Sequence, residues 1–407
     1  MITFSDTSLR FQESLQRFME EHIYPNESVY AEQLHHATDR FALVPVMEEL
    51  RVKAKEAGLW NLFIPPSLGE WSDHGGLSNF DYAPLAEIMG RVIWAAEVFN
   101  CNAPNTGNME VFMKYGSADQ KERWLKPMLA GDMAAAYAMT EPQVASSDAT
   151  NVELSIQKDG DEWVLNGRKW FITSAMYERT KVFIVMGKSD PDNASRHLQQ
   201  TQVIVPTGTP GLDIIRPLTT LGYDDAPLGH AELRFTNVRV PLDHVLLGEG
   251  RGFEIAQGRL GPGRMHHCMR LIGAGQRTLE IACKRVTSRS TFGKQLAQHQ
   301  SIREDIADCF ADIEMARLLV LKTCKRMDEV GAQEARDMIA ASKIAVPRMM
   351  QSVIDRCMQM FGAGGLTEDF PMAEFFNYAR WCRQADGPDQ VHQMALGKQL
   401  IQRYADA

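Results

Sequence analysis

The chain has 407 residues, a formal net charge of −9 and a 44% hydrophobic composition. That length calls for roughly two to three domains with ample apolar material for a core, and the acidic balance excludes nucleic acid as the main partner, because phosphate binding needs a basic field. Seven cysteines without a CxxC pair or zinc spacing fit a reducing compartment. With no basic-then-apolar leader after Met1 and no apolar run of about 18 residues, a cytoplasmic protein without integral membrane association is expected.

Residues 1–134 read as helical. Phe11, Leu15, Phe18, Met19 and His22 recur at spacings of three and four. A second run over 45–58 closes at Gly58, in the position glycine favours after a helix. Pro65-Pro66, Gly69 and Gly75-Gly76 mark a loop, and 81–99 and 117–130 resume the helical pattern. The texture then changes over 135–245. Val152, Leu154 and Ile156 alternate, Lys158 to Asp161 turn the chain, Trp163 and Leu165 follow, and Asn166-Gly167 is the strongest short hairpin signal. Strand-like runs at 181–186, 202–205 and 231–235 complete a domain of hairpins. Ser189 to Gln200 read as an exposed loop with Arg196 and His197 solvated. From 246 to 407 the pattern is helical again, with long helices predicted over 252–288 (soft at Gly261-Pro262-Gly263), 303–330 and 334–361, enough for a four-helix bundle. The order is α-helical domain, β domain, helical bundle: an α+β class unlike a Rossmann or TIM alternation.

Neither Gly248-Glu249-Gly250 nor Gly362-Ala363-Gly364-Gly365 completes a GxGxxG loop after a strand, and Walker and HExxH motifs are absent. His35-His36 and His266-His267 are adjacent on helices and point apart, so packing or surface histidines are expected and no metal site. Five stretches carry more signal together. They are Met139-Thr140-Glu141-Pro142 with Ser146-Ser147-Asp148; Lys169-Trp170-Phe171-Ile172-Thr173-Ser174; Arg289 to Lys294 with His299-Gln300; Gln359 to Gly365; and Asp386-Gly387-Pro388-Asp389. In the last, Gly-Pro breaks any helix and leaves Asp386 on a turn, either as a helix cap or as a presented carboxylate.

These motifs, in this order and spacing, resemble the acyl-CoA dehydrogenase family of flavoproteins over nearly the whole chain. The TEP-x-VASSDATN, GPGR-x-HHCMR and ADGPD phrases are most similar to the subgroup containing family members 10 and 11. The resemblance implies FAD as cofactor, an acyl-CoA substrate, electron transfer flavoprotein as electron acceptor, and at least a homodimer, with a homotetramer usual. It implies that Met139, Thr140 and Ser147 line the flavin, that Phe171 packs by the isoalloxazine and that Thr173 bonds its reactive edge. Arg289, Phe292, His299, Gln300, Gln359, Gly362, Ala363 and Gln390 would hold the rest of FAD, part of the set coming from a neighbouring subunit. Ser147, Arg264 and Gly387 match substrate contacts, and Asp386 matches the catalytic base.

The implied reaction is α,β-dehydrogenation of the thioester to the 2-enoyl-CoA. A base in an apolar pocket is expected to have a raised pKa. Three departures stand out. Most relatives carry Glu where Asp386 stands, about 1.5 Å longer in reach. Gly261 replaces an Asp that touches CoA in short- and medium-chain relatives, and Pro388 replaces a flavin-contacting Thr. Two other enzyme readings stand beside the first: a flavin oxidase of the nitroalkane oxidase type, and a relative processing 4-hydroxyacyl- or 4-phosphoacyl-CoA. A binding protein that has kept the fold and lost catalysis is a third class, opposed by the intact Arg289, Gln359 and Asp386. Asp389 is read as a capping or surface residue.

Overall fold

The computed structural model describes residues 2–405, with the side chain of Leu260 outside the description. Its first unit is helical: α1 (Asp6–Phe18), α2 (Glu27–His36), α3 (Pro45–Glu56), α4 (Asn79–Met89), α5 (Ala95–Val98), α6 (Asn105–Tyr115), α7 (Ala118–Gln120) and α8 (Lys126–Ala130). Capping explains several starts: Ser5, Ser78 and Ser117 each accept a backbone N–H three residues on. Gly58 follows α3 at φ 69, as its sequence position suggests. The helical run read over 81–99 is interrupted between Met89 and Ala95.

The middle unit is a seven-stranded sheet of β1 (Ala134–Ala138), β2 (Ser155–Asp159), β3 (Glu162–Thr173), β4 (Thr180–Lys188), β5 (Gln200–Pro206), β6 (Leu212–Leu218) and β7 (His230–Pro241). The path runs β1-β4-β2-β3-β7-β6, with β5 on β4. It is not built of hairpins alone, since β1 pairs with β4 in parallel. Nor does Asn166-Gly167 form a hairpin turn: both lie inside β3, where the register with β7 slips between Leu165 and Gly167. Gly167 (φ 148) is needed because a Cβ there would come within 2.9 Å of Leu154 Cα. The side-chain oxygen of Asn166 accepts from Asn237 N at 2.7 Å. The signal thus marks a bulge instead of a turn.

The last unit holds α9 (Gly252–Ser288), a short β8–β9 hairpin (Ser290–Thr291, Lys294–Gln295), α10 (Gln300–Glu334), α11 (Arg336–Phe361), α12 (Met372–Trp381) and α13 (Asp389–Ala405). Helix α9 runs unbroken through Pro262. It touches α4 backbone to backbone: a Cβ on Gly273 would lie 1.9 Å from Glu87 O, and one on Gly90 would lie 2.1 Å from Arg270 O. This crossing fixes the height at which Arg264, His267 and Arg270 stand.

One apolar core runs through both helical units and takes in Val182 and Ile184 of β4. The alternate residues Phe183 and Val185 face a second core with Trp163, Leu165, Val203 and Leu233. The period of two along β4 therefore joins the sheet to the helices on one face and closes its own core on the other. Among the described residues no helix is long and apolar enough to cross a membrane, and no group of three His, Cys, Asp or Glu side chains is placed to hold a metal ion.

Candidate active site

Asp386 sits in the turn between α12 and α13, where Gln384 N and Ala385 N both return to Trp381 O. Its φ is 55, a left-handed conformation that Asp tolerates better than most residues, and Gly387 follows at φ 100. Arg264 Nε donates to the Asp386 main-chain carbonyl at 2.9 Å, holding the turn against α9. The Asp386 carboxylate lies over α9 at Gly263, with Oδ2 3.7 Å from where a Cβ would stand and 3.7 Å from His267 Nε2. Its side chain is 18% exposed.

His267 belongs to this site although adjacency to His266 argued for ordinary packing. Arg270 Nη2 lies 3.3 Å from His267 Nδ1 and Tyr378 Oη lies 3.1 Å from it. A guanidinium only donates, so Nδ1 accepts and the ring proton sits on Nε2, facing Asp386. Burial and the Arg270 charge push His267 down to about 3, which leaves it neutral. His266 is likewise pushed down to about 3, by burial and then Arg270; it packs edge-on against Tyr82, as a core histidine should.

The expected upward shift of the Asp386 carboxyl is not found. Burial does raise it, but His267, Arg259, Lys343 and Arg264 together outweigh burial and hold it below its ordinary value. The pocket is buried yet cationic. Arg259 stacks over the Tyr137 ring at 4.1 Å and donates to Asn108 Oδ1 at 3.1 Å. Lys343, reaching in from α11, donates to the Cys382 carbonyl. Asp389 is no surface residue either: it is buried and pairs with Arg348 at 2.8 Å and Arg383 at 2.9 Å, tying the first turn of α13 to α11 and to the turn after α12.

Trp381 joins this nook to the sheet. Its ring centroid is 5.5 Å from that of His267 and 6.3 Å from that of His230, which opens β7. His230 Nδ1 is 3.0 Å from Thr173 Oγ1. Beside it Phe171 (φ 50) stands at a second register slip of β3 and leaves 44% of its surface exposed. Thr140 and Lys169 fix the neighbouring segments. Thr140 Oγ1 donates to Trp170 O at 2.5 Å, and the buried Lys169 donates to Met139 O and Glu141 Oε1, both at 2.7 Å. Ser147 is exposed in the loop after Glu141. Trp381, His230 and Tyr378 carried no sequence signal, because only the tertiary fold brings them together.

Most of the remaining expected residues form a separate rim. Arg289, Phe292, Gln300, Gln359, Gly362 and Ala363 are exposed and His299 is half-buried, whereas the exposed Gln390 stands in the first turn of α13, beside the Asp386 turn. Arg285 stacks on Phe361 at 5.1 Å, so the end of α9 and the 362–366 loop share one end of the bundle. That end is about 30 Å along α9 from Arg264. Gly261, three residues before Arg264 on α9, lies against Ala332, whose Cβ is 3.3 Å from where a Cβ on Gly261 would stand, a tight approach.

A flavin dinucleotide fits what is present. Phe171 offers an uncovered aromatic face next to a polar Thr173, His299 Nε2 is buried without a hydrogen-bond partner, and Gly362 (φ 62) opens onto empty space. A helical unit, a sheet and a helical bundle, with a half-buried carboxylate on the bundle and an exposed aromatic side chain on the sheet, define a flavin-dependent dehydrogenase fold. The comparisons agree along the chain. Residues 5–132, 136–238 and 250–401 match the N-terminal, middle and C-terminal domains of acyl-CoA dehydrogenase. The chain is 50% identical over 391 residues to acyl-CoA dehydrogenase family member 10 of Mus musculus, covering 96% of this chain and 36% of that one. It is 43% identical over 405 residues to the Mycobacterium tuberculosis protein named probable acyl-CoA dehydrogenase FadE2, covering 98% of this chain and 96% of that one. A solved structure from Mycobacterium abscessus superposes with a TM-score of 0.94 at 45% identity, over 99% of this chain and 100% of that one. Butyryl-CoA dehydrogenase of Megasphaera elsdenii superposes with a TM-score of 0.82 at 25% identity, over 98% and 100%. The chain belongs to the acyl-CoA dehydrogenase family, and FAD is its cofactor. It spans between about a third and a half of the length of the first curated relatives it matches, family member 10 among them.

Proposed function

We propose that this chain catalyses FAD-dependent α,β-dehydrogenation of an acyl-CoA thioester, with Asp386 as the base. The observation that carries the reading is the Asp386 turn: a half-buried carboxylate in a left-handed backbone conformation, pinned through its carbonyl by Arg264 at 2.9 Å. FAD, when bound, supplies the hydride acceptor. Asp386 takes the α-proton at its carboxylate; Arg264 fixes the turn so that the short side chain reaches the substrate; the neutral His267 keeps an N–H directed at the carboxylate without competing for the proton. The cations around Asp386 hold it ionised and ready to accept, and the main-chain N–H groups of the turn are donors for the thioester carbonyl. Arg264 and Gly387 face the substrate in this reading, as does Ser147. Met139, Thr140, Phe171 and Thr173 line the flavin. Arg289, His299, Gln300, Gln359, Gly362 and Ala363 hold its pyrophosphate and adenosine, with the 95%-exposed Phe292 reaching a second subunit of a homodimer or homotetramer, and Gln390 contacts the cofactor from the first turn of α13. Electron transfer flavoprotein is the proposed acceptor, and a reducing cytoplasm the proposed setting.

The cationic lining favours one refinement. Arg259, Lys343 and Arg264 all act on Asp386, and a hydroxyl or phosphate at C4 of the acyl chain would have cationic groups near it where a plain hydrocarbon chain would not. The test is anaerobic titration of the purified FAD-loaded protein with acyl-CoAs, plain and 4-substituted, following the flavin absorbance. Bleaching by a thioester is the expected result. A protein bleached by nitroethane and untouched by any thioester would instead be an oxidase of the nitroalkane type.

A further inference from the structure

Behind Thr173 runs a chain of side chains that the proposed proton abstraction does not use. Thr173, the last residue of β3, is the register partner of His230, the first of β7. Their side chains meet, Oγ1 to Nδ1, at 3.0 Å. On its far side His230 Nε2 meets Asp225 Oδ2 at 2.6 Å. The His230 residue is 5% exposed. Asp225 is itself held, at φ 50 in the turn before β7, where its main-chain carbonyl accepts from Gly229 N at 2.9 Å. Its Oδ2 also accepts from Thr220 Oγ1 at 3.3 Å, and Thr220 Oγ1 in turn accepts from Asn377 Nδ2 of α12 at 2.9 Å.

We infer that Asp225 and His230 are positioning residues that set the direction of the Thr173 hydroxyl, so that Thr173 offers the flavin an acceptor oxygen and not a donor. The inference rests on the flavin-lining role proposed above for Thr173. Proton counting carries it. A carboxylate only accepts, so His230 Nε2 carries the ring proton. We take the ring to be singly protonated, the state the NMR experiment below reads; Nδ1 is then bare and accepts. The hydroxyl has a single proton and spends it on Nδ1. What Thr173 then presents on its open side is a lone pair, next to the exposed face of Phe171. The flavin ring carries an N–H at its reacting edge when reduced and a bare nitrogen when oxidised. The chain is therefore complementary to the reduced cofactor, and raises its reduction potential.

The experiment uses the FAD-loaded protein and two readouts: the flavin midpoint potential, and nitrogen-15 NMR of the histidine rings, with the His230 signal identified by its loss in His230→Gln. Thr173→Val and His230→Gln are each expected to lower the reduced-to-oxidised equilibrium constant about tenfold, a shift of about 30 mV for this two-electron couple. Thr173→Ser, which keeps the oxygen, should hold the wild-type potential. The NMR should show His230 protonated at Nε2 alone. Protonation at both nitrogens, or at Nδ1, overturns the inference, whether or not His230→Gln folds. A Thr173→Ser potential as low as that of Thr173→Val also overturns it. If Thr173→Val leaves both potential and flavin spectrum unchanged while acyl-CoA still bleaches the protein, this inference fails and the dehydrogenase reading stands. A chain that takes up no FAD ends both.

Discussion

Arg264 grips Asp386 by its main chain and not by its carboxylate: Nε donates to the carbonyl at 2.9 Å, while the nearest ring nitrogen to Oδ2 is that of His267 at 3.7 Å. The arginine, half-buried on α9, thus fixes where the carboxylate points without neutralising it through a direct ion pair. In the proposed reaction, this contact is what places a side chain one methylene short of the family's usual base.

It follows that Arg264→Lys, which keeps the charge and loses the Nε donor, should bind FAD normally and be bleached by acyl-CoA some ten- to a hundredfold more slowly, the scale of a misplacement near 1 Å. Stopped-flow reduction measures it. A wild-type rate in this variant would mean that the turn holds itself.

Much of this architecture was legible in the sequence, for reasons that can be named. The long helices show in the spacing of apolar residues such as Ile313, Val320, Cys324 and Met327, all buried on α10. Asp386 shows because Gly387-Pro388 must end a helix. What stayed hidden depends on tertiary crossings. His267 was indistinguishable from His266 until α9 met the Asp386 turn. Asp389 reads as a surface cap until Arg348 arrives from α11. The upward pKa expected for Asp386 assumed apolar walls, whereas Arg259 and Lys343 enter from helices remote in sequence. Asn166-Gly167 carries a true turn preference, used inside a strand to pass Leu154.

Acid should unfold the protein steeply. His266 and His267 are held near 3 when folded, against about 6.5 when unfolded. Between those limits the unfolded chain binds the protons and the folded one does not, so stability is full above about 6.5 and falls with pH at about 1.4 kcal/mol per unit for each histidine. His392, pushed down to about 4 by burial and then Arg264, adds to the fall over its own window. Urea unfolding midpoints between pH 7 and pH 5 read the effect. The double variant His266→Phe/His267→Gln should flatten the slope; an unchanged slope would contradict these assignments.

The fully buried Lys169–Glu141 pair ties Met139 O to the strand that carries Phe171 and Thr173. Lys169→Met strands the Glu141 carboxylate on the N–H groups of Glu153 and Leu154. It should cost about 3–5 kcal/mol in denaturant unfolding, and adding Glu141→Gln should recover part of that loss. Equal stability of Lys169→Met and wild type would show the pair to be dispensable.

At the rim, Arg289 is exposed at the end of α9. If it holds a phosphate, Arg289→Gln should weaken FAD binding about ten- to a hundredfold, the range for losing a charge-assisted hydrogen bond, and wild-type affinity should fall with salt more steeply than that of the variant. Equilibrium dialysis of FAD at two ionic strengths checks both; equal affinities and equal salt slopes would remove Arg289 from the cofactor site.

The central claim is that Asp386 takes the α-proton, and Asp386→Asn tests it with almost no change in shape. The variant should purify yellow, bind FAD and acyl-CoA as the wild type does, and show no bleaching when mixed anaerobically with a thioester that bleaches the wild type. Bleaching of Asp386→Asn at the wild-type rate would contradict the account.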